Sequence, residues 1–350
     1  MSNEEKTVKK TYFQQQNIEI SFDRIILKGL SGMAQGLFAS LLIGTIIKTI
    51  GGFIPGAVGE FLVGVAGYTG AVQGAAMALA IGYAMQCPPY VLFSLATVGY
   101  AANALGGGGG PLAVYLICLV AIFAGKLVSK RTPIDLLVTP TVTILVGVLL
   151  ATWFAPTIGK VATILGQLVM WATDQQPFLM GILVSVIMGI VLTLPISSAA
   201  ICAALGLVGL AGGAAVAGCC AQMVGFAVIS FRENRWSGLV AQGLGTSMLQ
   251  MGNICRRPAI WLPPTLAAAV CGPLATMLFK LECTGVSAGM GTCGLVGPLG
   301  ILSAMPEGGA MMWIGILVDC ILLPAVLSFL FNELFRKIGW IHDGDMKLEL

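Results

Sequence analysis

Six residues in the last third of the chain, Gly289-Met-Gly-Thr-Cys-Gly294, have the G-x-G-x-x-G spacing of a dinucleotide-binding loop. That fingerprint needs a strand before it, a helix after it and an acidic residue about 20 positions later. Here both flanks are apolar, and more glycines follow. Non-helical backbone at membrane depth is tolerated only where it is buried in protein or lines a watery cavity. The stretch therefore predicts a loop that approaches a solute, and its candidate binding residues are Thr284, Gly289, Gly291 and Thr292.

Polar side chains inside apolar segments form a second group of candidates, because an ionisable group in a spanning segment is costly and often functional. Asp319 lies near the middle of the last apolar segment, Glu60 near the start of the second, and Glu282 at the mouth of the glycine loop. Asn103 precedes five consecutive glycines, Gly106 to Gly110, which form either a turn between two spans or an unwound segment facing a cavity. The alternatives to solute or ion binding are a buried hydrogen-bond hub for Asp319 and an interfacial ion pair for Glu282.

The densest polar patch near a glycine-rich segment is Gln250-Met-Gly-Asn-Ile-Cys-Arg-Arg-Pro258. The amide of Asn253 and the guanidinium of Arg256 could hold a hydroxylated or anionic solute, since arginine presents a bidentate fork of donors. The alternative is that both arginines of this patch only anchor the chain at the membrane surface.

Self-contained catalysis finds little support in the sequence. The single histidine, His342, lies in the polar C-terminal tail, so no Ser-His or Cys-His pair can form in the apolar core. The ten cysteines lack metal-ligand spacing and are interpreted as small buried hydrophobic residues. We therefore expect no cofactor and no metal, and the net charge of +3 is too small to indicate nucleic-acid binding.

Composition indicates what must position these residues. Charged residues make up only 9% of the 350, and no Asp, Glu, Lys or Arg occurs from 61 to 125 or from 175 to 231. Because a spanning helix needs roughly 20 predominantly apolar residues, the sequence predicts an all-α polytopic membrane protein in a lipid bilayer. About ten transmembrane helices are expected, near 29–50, 57–86, 89–105, 111–128, 134–154, 156–173, 178–200, 205–231, 258–280 and 309–335.

Two further stretches, 236–255 and 283–304, are too rich in glycine for continuous spans and are predicted to be re-entrant hairpins. With this arrangement most basic clusters fall on one side of the membrane, which is the cytoplasmic side under the positive-inside rule. The organisation then has three parts: a cytoplasmic leader (1–28) with a possible amphipathic helix, one transmembrane domain (29–335) and a cytoplasmic tail (336–350). Similar spacing after 131–133 and 256–258 suggests an internal repeat.

Three blocks carry a family resemblance: RTPIDLLVTPTVTILVG (131–147), QPFLMGILVSVIMGIVLTLPISSAAI (176–201), and RRPAIWLPPTLAAAVCGPLATMLFK followed by GMGTCGLVGPLG. In their order they resemble the membrane (IIC) component of the bacterial sugar phosphotransferase system, and more narrowly its stand-alone branch related to the putative perfringolysin regulator. The resemblance covers residues 25 to 335. It implies a homodimer in the bacterial cytoplasmic membrane that binds a sugar between its hairpins, while separate IIA and IIB partners supply the phosphate.

The resulting functional hypothesis is transport of a small polar solute, most simply a sugar, by a phosphotransferase-type permease or an uncoupled relative. Two alternatives remain open at this point. One is an ion-coupled transporter of a small anion or other metabolite, with Asp319 or Glu60 as the ion site. The other is a membrane-embedded regulator that senses a ligand without moving it.

Overall fold

The computed structural model describes residues 21–348, apart from the side chain of Ala204, and this part of the chain is helical without any strand. The all-α membrane fold predicted from composition is thereby confirmed. Most of the predicted leader, residues 1–20, lies outside the described residues. The helices are α1 (Asp23–Phe53), α2 (Ala57–Ala71), α3 (Gln73–Ala84), α4 (Pro89–Gly106), α5 (Gly110–Val128), α6 (Asp135–Thr173), α7 (Pro177–Thr193), α8 (Ser198–Leu205), α9 (Gly209–Ile229), α10 (Phe231–Val240), α11 (Met251–Arg256), α12 (Pro258–Leu278), α13 (Val296–Ala304) and α14 (Gly309–Ile338).

The number of membrane-spanning helices differs from the expected ten. Within residues 21–348, six helices are long and apolar enough to cross a membrane, or seven if α2 and α3, bent by 55° at their junction, count as one span. One of the six, Pro89–Val128, is itself a hairpin, because a Cβ on Gly125 near its end would lie 3.0 Å from Val91 near its start. The chain reverses at Gly107, whose φ of +52° favours glycine. The predicted count of ten is therefore not confirmed.

Helix α6 replaces two predicted spans. The sequence predicts a break near Pro156, yet the helix continues through both Pro140 and Pro156 for 39 residues. Its neighbours support it along this length through close glycine contacts, which bring Gly147 against Val98 and Gly159 against the carbonyl of Gly106. Small residues that let helix backbones approach are the usual packing device in membranes, where apolar burial alone gives no driving force between helices.

The buried apolar side chains form two main clusters. One lies among α1, α3, α4, α5 and the first half of α6, and the other among the second half of α6, α7, α9, α12, α14 and the segment after α12. Helices α1 and α6 contribute to both clusters and so join the two halves of the molecule. The space between the halves contains the cavities described below.

Both glycine-rich segments predicted to be re-entrant enter the protein and return. We call residues 231–256 the first hairpin; it runs from Phe231 inward to Thr246 and back to Arg256. We call residues 280–304 the second hairpin; it runs inward to Gly291 and back to Ala304. Their backbones are broken into short helical pieces, as the density of glycine predicts.

A third reversal was not predicted. The segment 178–200 was expected to cross the membrane, but α7 ends at Thr193 and α8 returns. Both ends of this unit lie beside the end of α12 and the segment that follows it, since Thr276 donates to the carbonyl of Pro177 at 3.0 Å and the amide of Gly285 donates to the carbonyl of Leu207 at 2.9 Å. We call residues 177–205 the α7–α8 hairpin.

The start of α1 and the C-terminal tail lie at the same end of the molecule. Asp23, Asn253 and Lys347 line one pocket there. We call this the leader end, and the end at which α1 stops, near Phe53, the far end. The predicted repeat places Arg131 and Arg256 shortly before α6 and α12 respectively, and duplication stays a prediction.

Candidate functional site

The two glycine-rich hairpins meet at their innermost points. The hydroxyl of Thr292 in the second hairpin donates to the carbonyl of Gly243 in the first hairpin at 2.5 Å. The hydroxyl of Ser198, at the start of α8, donates to the carbonyl of Gly289 at 2.6 Å. All three broken segments are therefore joined by hydrogen bonds to backbone carbonyls that no regular helix satisfies.

Glycine is required at the tip of the second hairpin for two separate reasons. Gly291 has a φ of +53°, and a Cβ there would lie 2.8 Å from the backbone of Cys219 in α9. A Cβ on Gly289 would lie 2.6 Å from the carbonyl oxygen of Ser198. The G-x-G pair thus lets backbone approach backbone inside the protein.

The tip of the first hairpin is held by side chains from two other elements and by a cap of its own. Ser247 and Thr193 of α7 share a hydrogen bond of 2.8 Å between their hydroxyls. Gly245 lies against the ring of Phe38 in α1, where an added Cβ would come within 2.2 Å of the ring. Thr246 accepts the amide of Met248 at 3.1 Å and so caps the short helical turn that follows.

A buried amide, Gln222 of α9, extends this support away from the tip. Its oxygen accepts from the indole of Trp261 at 3.1 Å and from Thr193 at 3.4 Å, and its nitrogen donates to Thr265 at 3.0 Å. Buried polar groups are stable when fully partnered. This network connects α7, α9 and α12 behind the first hairpin.

Two adjoining cavities lead from the far end toward the hairpin tips. The larger has a volume of about 670 Å³ and the deeper one about 140 Å³. They share lining residues, namely Leu41, Gln73, Ser197, Ala199 and Met290. Together we call them the cleft; it lies between α1, the α2–α3 junction and the α7–α8 and second hairpins. Its size falls in the range of sites that enclose small ligands.

Neutral polar side chains line much of the cleft. The bend between α2 and α3 sets Gln73 at the junction, where its side chain lines both cavities. Hydroxyl groups line the larger cavity, and Lys48 is the one charged residue among the described residues that line it. The hydroxyl-bearing residues are Thr45, Thr49, Ser197, Ser287 and Ser303. The arrangement suits a neutral solute with several hydroxyl groups better than a strongly charged one.

Four of the ten predicted site residues lie in or next to the cleft: Asn103 lines it, and the other three are within two positions of Met290, which also lines it. Gly289, Gly291 and Thr292 form the buried tip of the second hairpin, and Asn103 lines the deeper cavity beside Gly107. The glycine run at 106–110 forms a turn between α4 and α5, and Gly107 within it lines the deeper cavity, so the structure has features of both interpretations. The amide of Ser197 donates to the carbonyl of Gly108 at 2.9 Å.

The other six lie elsewhere. Glu60 is exposed in the first turn of α2, while Glu282 and Thr284 are exposed on the outer part of the second hairpin. Asn253 and Arg256 lie at the leader end in a different pocket, of about 330 Å³. None of these five is among the residues that line the cleft.

Asp319, the sixth, is fully buried in a π-helical stretch of α14 (Val318–Leu322). In the described part of the chain, neither of its carboxylate oxygens has a hydrogen-bond partner. It lies near the thiols of Cys220 and Cys271. Asp319 does not line the cleft.

Sequence reasoning missed Gln73, Lys48, Ser197 and Ser198. Gln73 is an isolated amide in a long uncharged segment, which is a detectable signal. The two serines follow Leu194-Pro195 at the end of an apolar run, where a proline followed by hydroxyl residues indicates a break rather than a continuing span. Lys48 is an isolated cation at the end of the first apolar segment, and the positive-inside rule alone assigns it no role in binding.

Comparison with known protein families identifies the family of this chain. A family model described as "Phosphotransferase system, EIIC" matches residues 27–348, which is nearly the whole chain. The chain belongs to this EIIC family. No curated protein matches this EIIC, and its assignment to the branch related to the perfringolysin regulator is not confirmed. The family, together with the apolar helices, makes this EIIC a multi-pass membrane protein of the phosphotransferase system with a role in membrane transport.

Proposed function

We propose that this EIIC carries a neutral, hydroxyl-rich solute, most simply a sugar, through the cleft between α1 and the second hairpin. One observation carries the proposal: a cavity lined by hydroxyl and amide groups reaches Met290 and Thr246 at the tips of the two glycine-rich hairpins. Sugars are recognised by donors and acceptors of this kind, because each hydroxyl can both donate and accept. Gln73 and Asn103 supply the amides, and the hydroxyl residues of the cleft supply the rest.

The hairpin tips would be the barrier between the two membrane faces. Non-helical backbone at this depth leaves carbonyls and amides available, and only a few hydrogen bonds hold the tips together. A solute at the bottom of the cleft could replace the bond of Thr292 with bonds of its own. The tips could then separate without leaving buried polar groups unpaired.

Phosphotransfer would take place at the leader end, with separate IIA and IIB proteins as donors. Basic residues are concentrated there, which supports a cytoplasmic leader end in a bacterium under the positive-inside rule. They include Arg24, Lys28, Arg232, Arg256, Arg257, Arg336 and Lys337. A single transmembrane domain over 29–335 and a homodimeric state complete the proposal.

Asp319 is the observation that favours a second candidate function. A buried carboxyl group without a partner inside a spanning helix is the expected form of a proton or sodium site. Transport would then be driven by an ion gradient rather than by phosphoenolpyruvate. Its separation from the cleft lining counts against this candidate.

Uptake into proteoliposomes tests both candidates. The purified protein would be offered radiolabelled hexoses, hexitols and disaccharides, with and without phosphoenolpyruvate and the soluble phosphotransferase proteins. We expect phosphorylated sugar to accumulate only with the phosphoryl donors, and an ionophore to have no effect. Uptake that an ionophore abolishes and that Asp319→Asn removes would establish the second candidate instead. Absence of binding and uptake for every sugar would overturn the proposal.

A further inference from the structure

The C-terminal tail folds back from α14 over the base of the first hairpin. Beyond Ile338 the chain turns at Gly339 and is described as far as Leu348. Met346 is fully buried in a small apolar cluster at the leader end, whose other buried members are Phe226, Ile229, Ile254, Ile260 and Ile341. The tail therefore contributes a side chain to the protein interior without forming a helix of its own.

Two residues of the inward arm of the hairpin bind the tail backbone. The carboxylate of Glu233 accepts the amide of Met346 at 2.8 Å and that of Gly344 at 3.1 Å. The side chain of Asn234 accepts the amide of Leu348 at 2.7 Å and donates to the carbonyl of Met346 at 2.8 Å. Glu233 is itself held by Arg336 at 3.2 Å, and the same guanidinium also binds Asp343.

Two residues of the returning arm complete the contact. The side-chain amide of Gln250 donates to the carbonyl of Met346 at 3.0 Å, and that of Asn253 donates to the carbonyl of Lys347 at 2.9 Å. The tail thus lies between both arms and uses their side chains as a bound peptide would. The sequence-based candidate Asn253 is engaged with the chain's own C-terminal segment.

We propose that residues 343–348 are a reversible latch that closes the base of the first hairpin at the leader end. The inference rests on the proposed function in one respect: latch release is the step that lets solute leave, or lets the phosphoryl donor approach, at this end. Gln250 lies only seven positions after Gly243, whose carbonyl accepts from Thr292. A change at the base of the hairpin therefore has only a short, broken stretch of backbone to cross before it reaches the barrier at the tip.

The chemistry of the contact suits a latch rather than a permanent part of the core. Six hydrogen bonds join the tail to the side chains of the hairpin, and Met346 is the only fully buried residue among 343–348. Water can replace each of these hydrogen bonds on opening, so release costs much less than extraction of a helix. The pocket of about 330 Å³ between the tail and α1 already admits solvent to one side of the contact.

Hydrogen exchange of the full chain in detergent or nanodiscs tests the latch without any solute. In the wild type we expect the amides of residues 344–348 to exchange more slowly than those of a free peptide. Glu233→Gln and Asn234→Ala should each accelerate them about tenfold, and should also accelerate exchange in residues 247–256. Glu333→Gln is the matched control, because Glu333 pairs with Arg232 at the same end and is not among the residues that bind the tail. Two results would overturn the proposal. One is that the wild-type amides of residues 344–348 exchange as fast as those of a free peptide. The other is that neither variant changes the exchange rate of residues 247–256.

A protein truncated after His342 shows whether the tail is a latch or a structural element that the fold requires. We expect this truncated protein to fold, with faster exchange in residues 247–256 than in the full chain. Loss of the folded protein on truncation would make the tail part of the core and would overturn the latch.

A disulfide that fixes the tail to the first hairpin tests whether release of the latch is needed for transport. Asn234→Cys combined with Leu348→Cys introduces thiols at two residues that lie side by side, since the Asn234 side chain accepts the backbone amide of Leu348 at 2.7 Å. Oxidation should abolish sugar uptake in proteoliposomes and a reductant should restore it, while the wild type treated in the same way stays active. Normal uptake by the oxidised variant would contradict the inference. If even the wild type moves no sugar, the proposed function fails, and the exchange experiment still decides whether the latch exists.

Discussion

Thr292 and Gly243 lie 49 positions apart in the chain, and their hydrogen bond of 2.5 Å joins the innermost points of two separate hairpins. Thr292→Val removes the hydroxyl and keeps the shape of the side chain. The buried carbonyl of Gly243 then loses its partner, which costs about 1–3 kcal/mol. We expect a lower midpoint of thermal unfolding and reduced sugar uptake. Thr292→Ser is the control and should behave like the wild type; equal behaviour of the two variants would show that the bond is unimportant.

Substitutions at Gly291 and Gly285 distinguish two reasons for a glycine, a left-handed backbone conformation and a lack of space for a side chain. Both have positive φ values, of +53° and +57°, but only Gly291 has other atoms within 4 Å of an added Cβ. Gly285→Ala should cost only the left-handed backbone penalty, about 1–2 kcal/mol. Gly291→Ala should cost considerably more, because its Cβ meets the backbone of α9. Yields of folded protein and unfolding midpoints measure the difference, and similar losses in both variants would contradict the steric explanation.

Because Gly245 lies against Phe38, we expect a substitution at Phe38 to compensate in part for a substitution at Gly245. Gly245→Ala would force the ring of Phe38 to move, since the new methyl group comes within 2.2 Å of it. We expect this variant to unfold at a lower temperature than the wild type. Adding Phe38→Ala makes room for the methyl group, so part of the loss should be recovered relative to the sum of the two single variants. A double variant that simply adds the two losses would show that the contact does not couple α1 to the first hairpin.

Gln73 is expected to bind solute directly. Gln73→Leu keeps a side chain of similar size at the α2–α3 junction and removes both the donor and the acceptor. The loss of one or two hydrogen bonds of about 1–1.5 kcal/mol each should raise the sugar concentration for half-maximal uptake about tenfold or more. Glu60→Gln is the matched control, because Glu60 is exposed on the adjoining helix and outside the cleft lining. An equal effect of the two substitutions would remove Gln73 from the site.

A substitution at Lys48 tests whether the solute is neutral or anionic. It is the one charged residue in the described lining of the larger cavity, and it is exposed. For a neutral sugar, Lys48→Gln should change the half-maximal concentration less than about threefold, which corresponds to well under 1.4 kcal/mol. For an anionic solute the same substitution should weaken binding strongly, and more so at low salt. Uptake curves at two ionic strengths give the answer.

The two glycine-rich hairpins could be predicted from the sequence, because a segment with many glycines does not form a continuous helix. The stretches 236–255 and 283–304 were predicted as hairpins and correspond to residues 231–256 and 280–304. The α7–α8 hairpin was missed, because an apolar run of ordinary length hides a reversal that only Pro195 signals. The opposite error occurred at Pro156, where close neighbours carry α6 through a residue that normally ends a helix.

The site was harder to predict, because cleft residues come from elements far apart in the chain. Gly289, Gly291 and Thr292 were selected from local pattern, and they lie at the tip of the second hairpin. Asn253 looked like a solute ligand because it is polar and near a hairpin. In the structure it donates to Gln250 and to the carbonyl of Lys347, 94 positions away, and a backbone carbonyl leaves no trace in residue types.

Helix α6 couples this protein to the lipid that surrounds it. Its 39 residues give a length of about 58 Å, roughly twice the hydrocarbon thickness of a bilayer. Large apolar side chains are exposed along it from Leu136 to Trp171. Such a rod must lean steeply or distort the bilayer beside it, so the length of the acyl chains becomes a determinant of how the two halves of the molecule sit against each other.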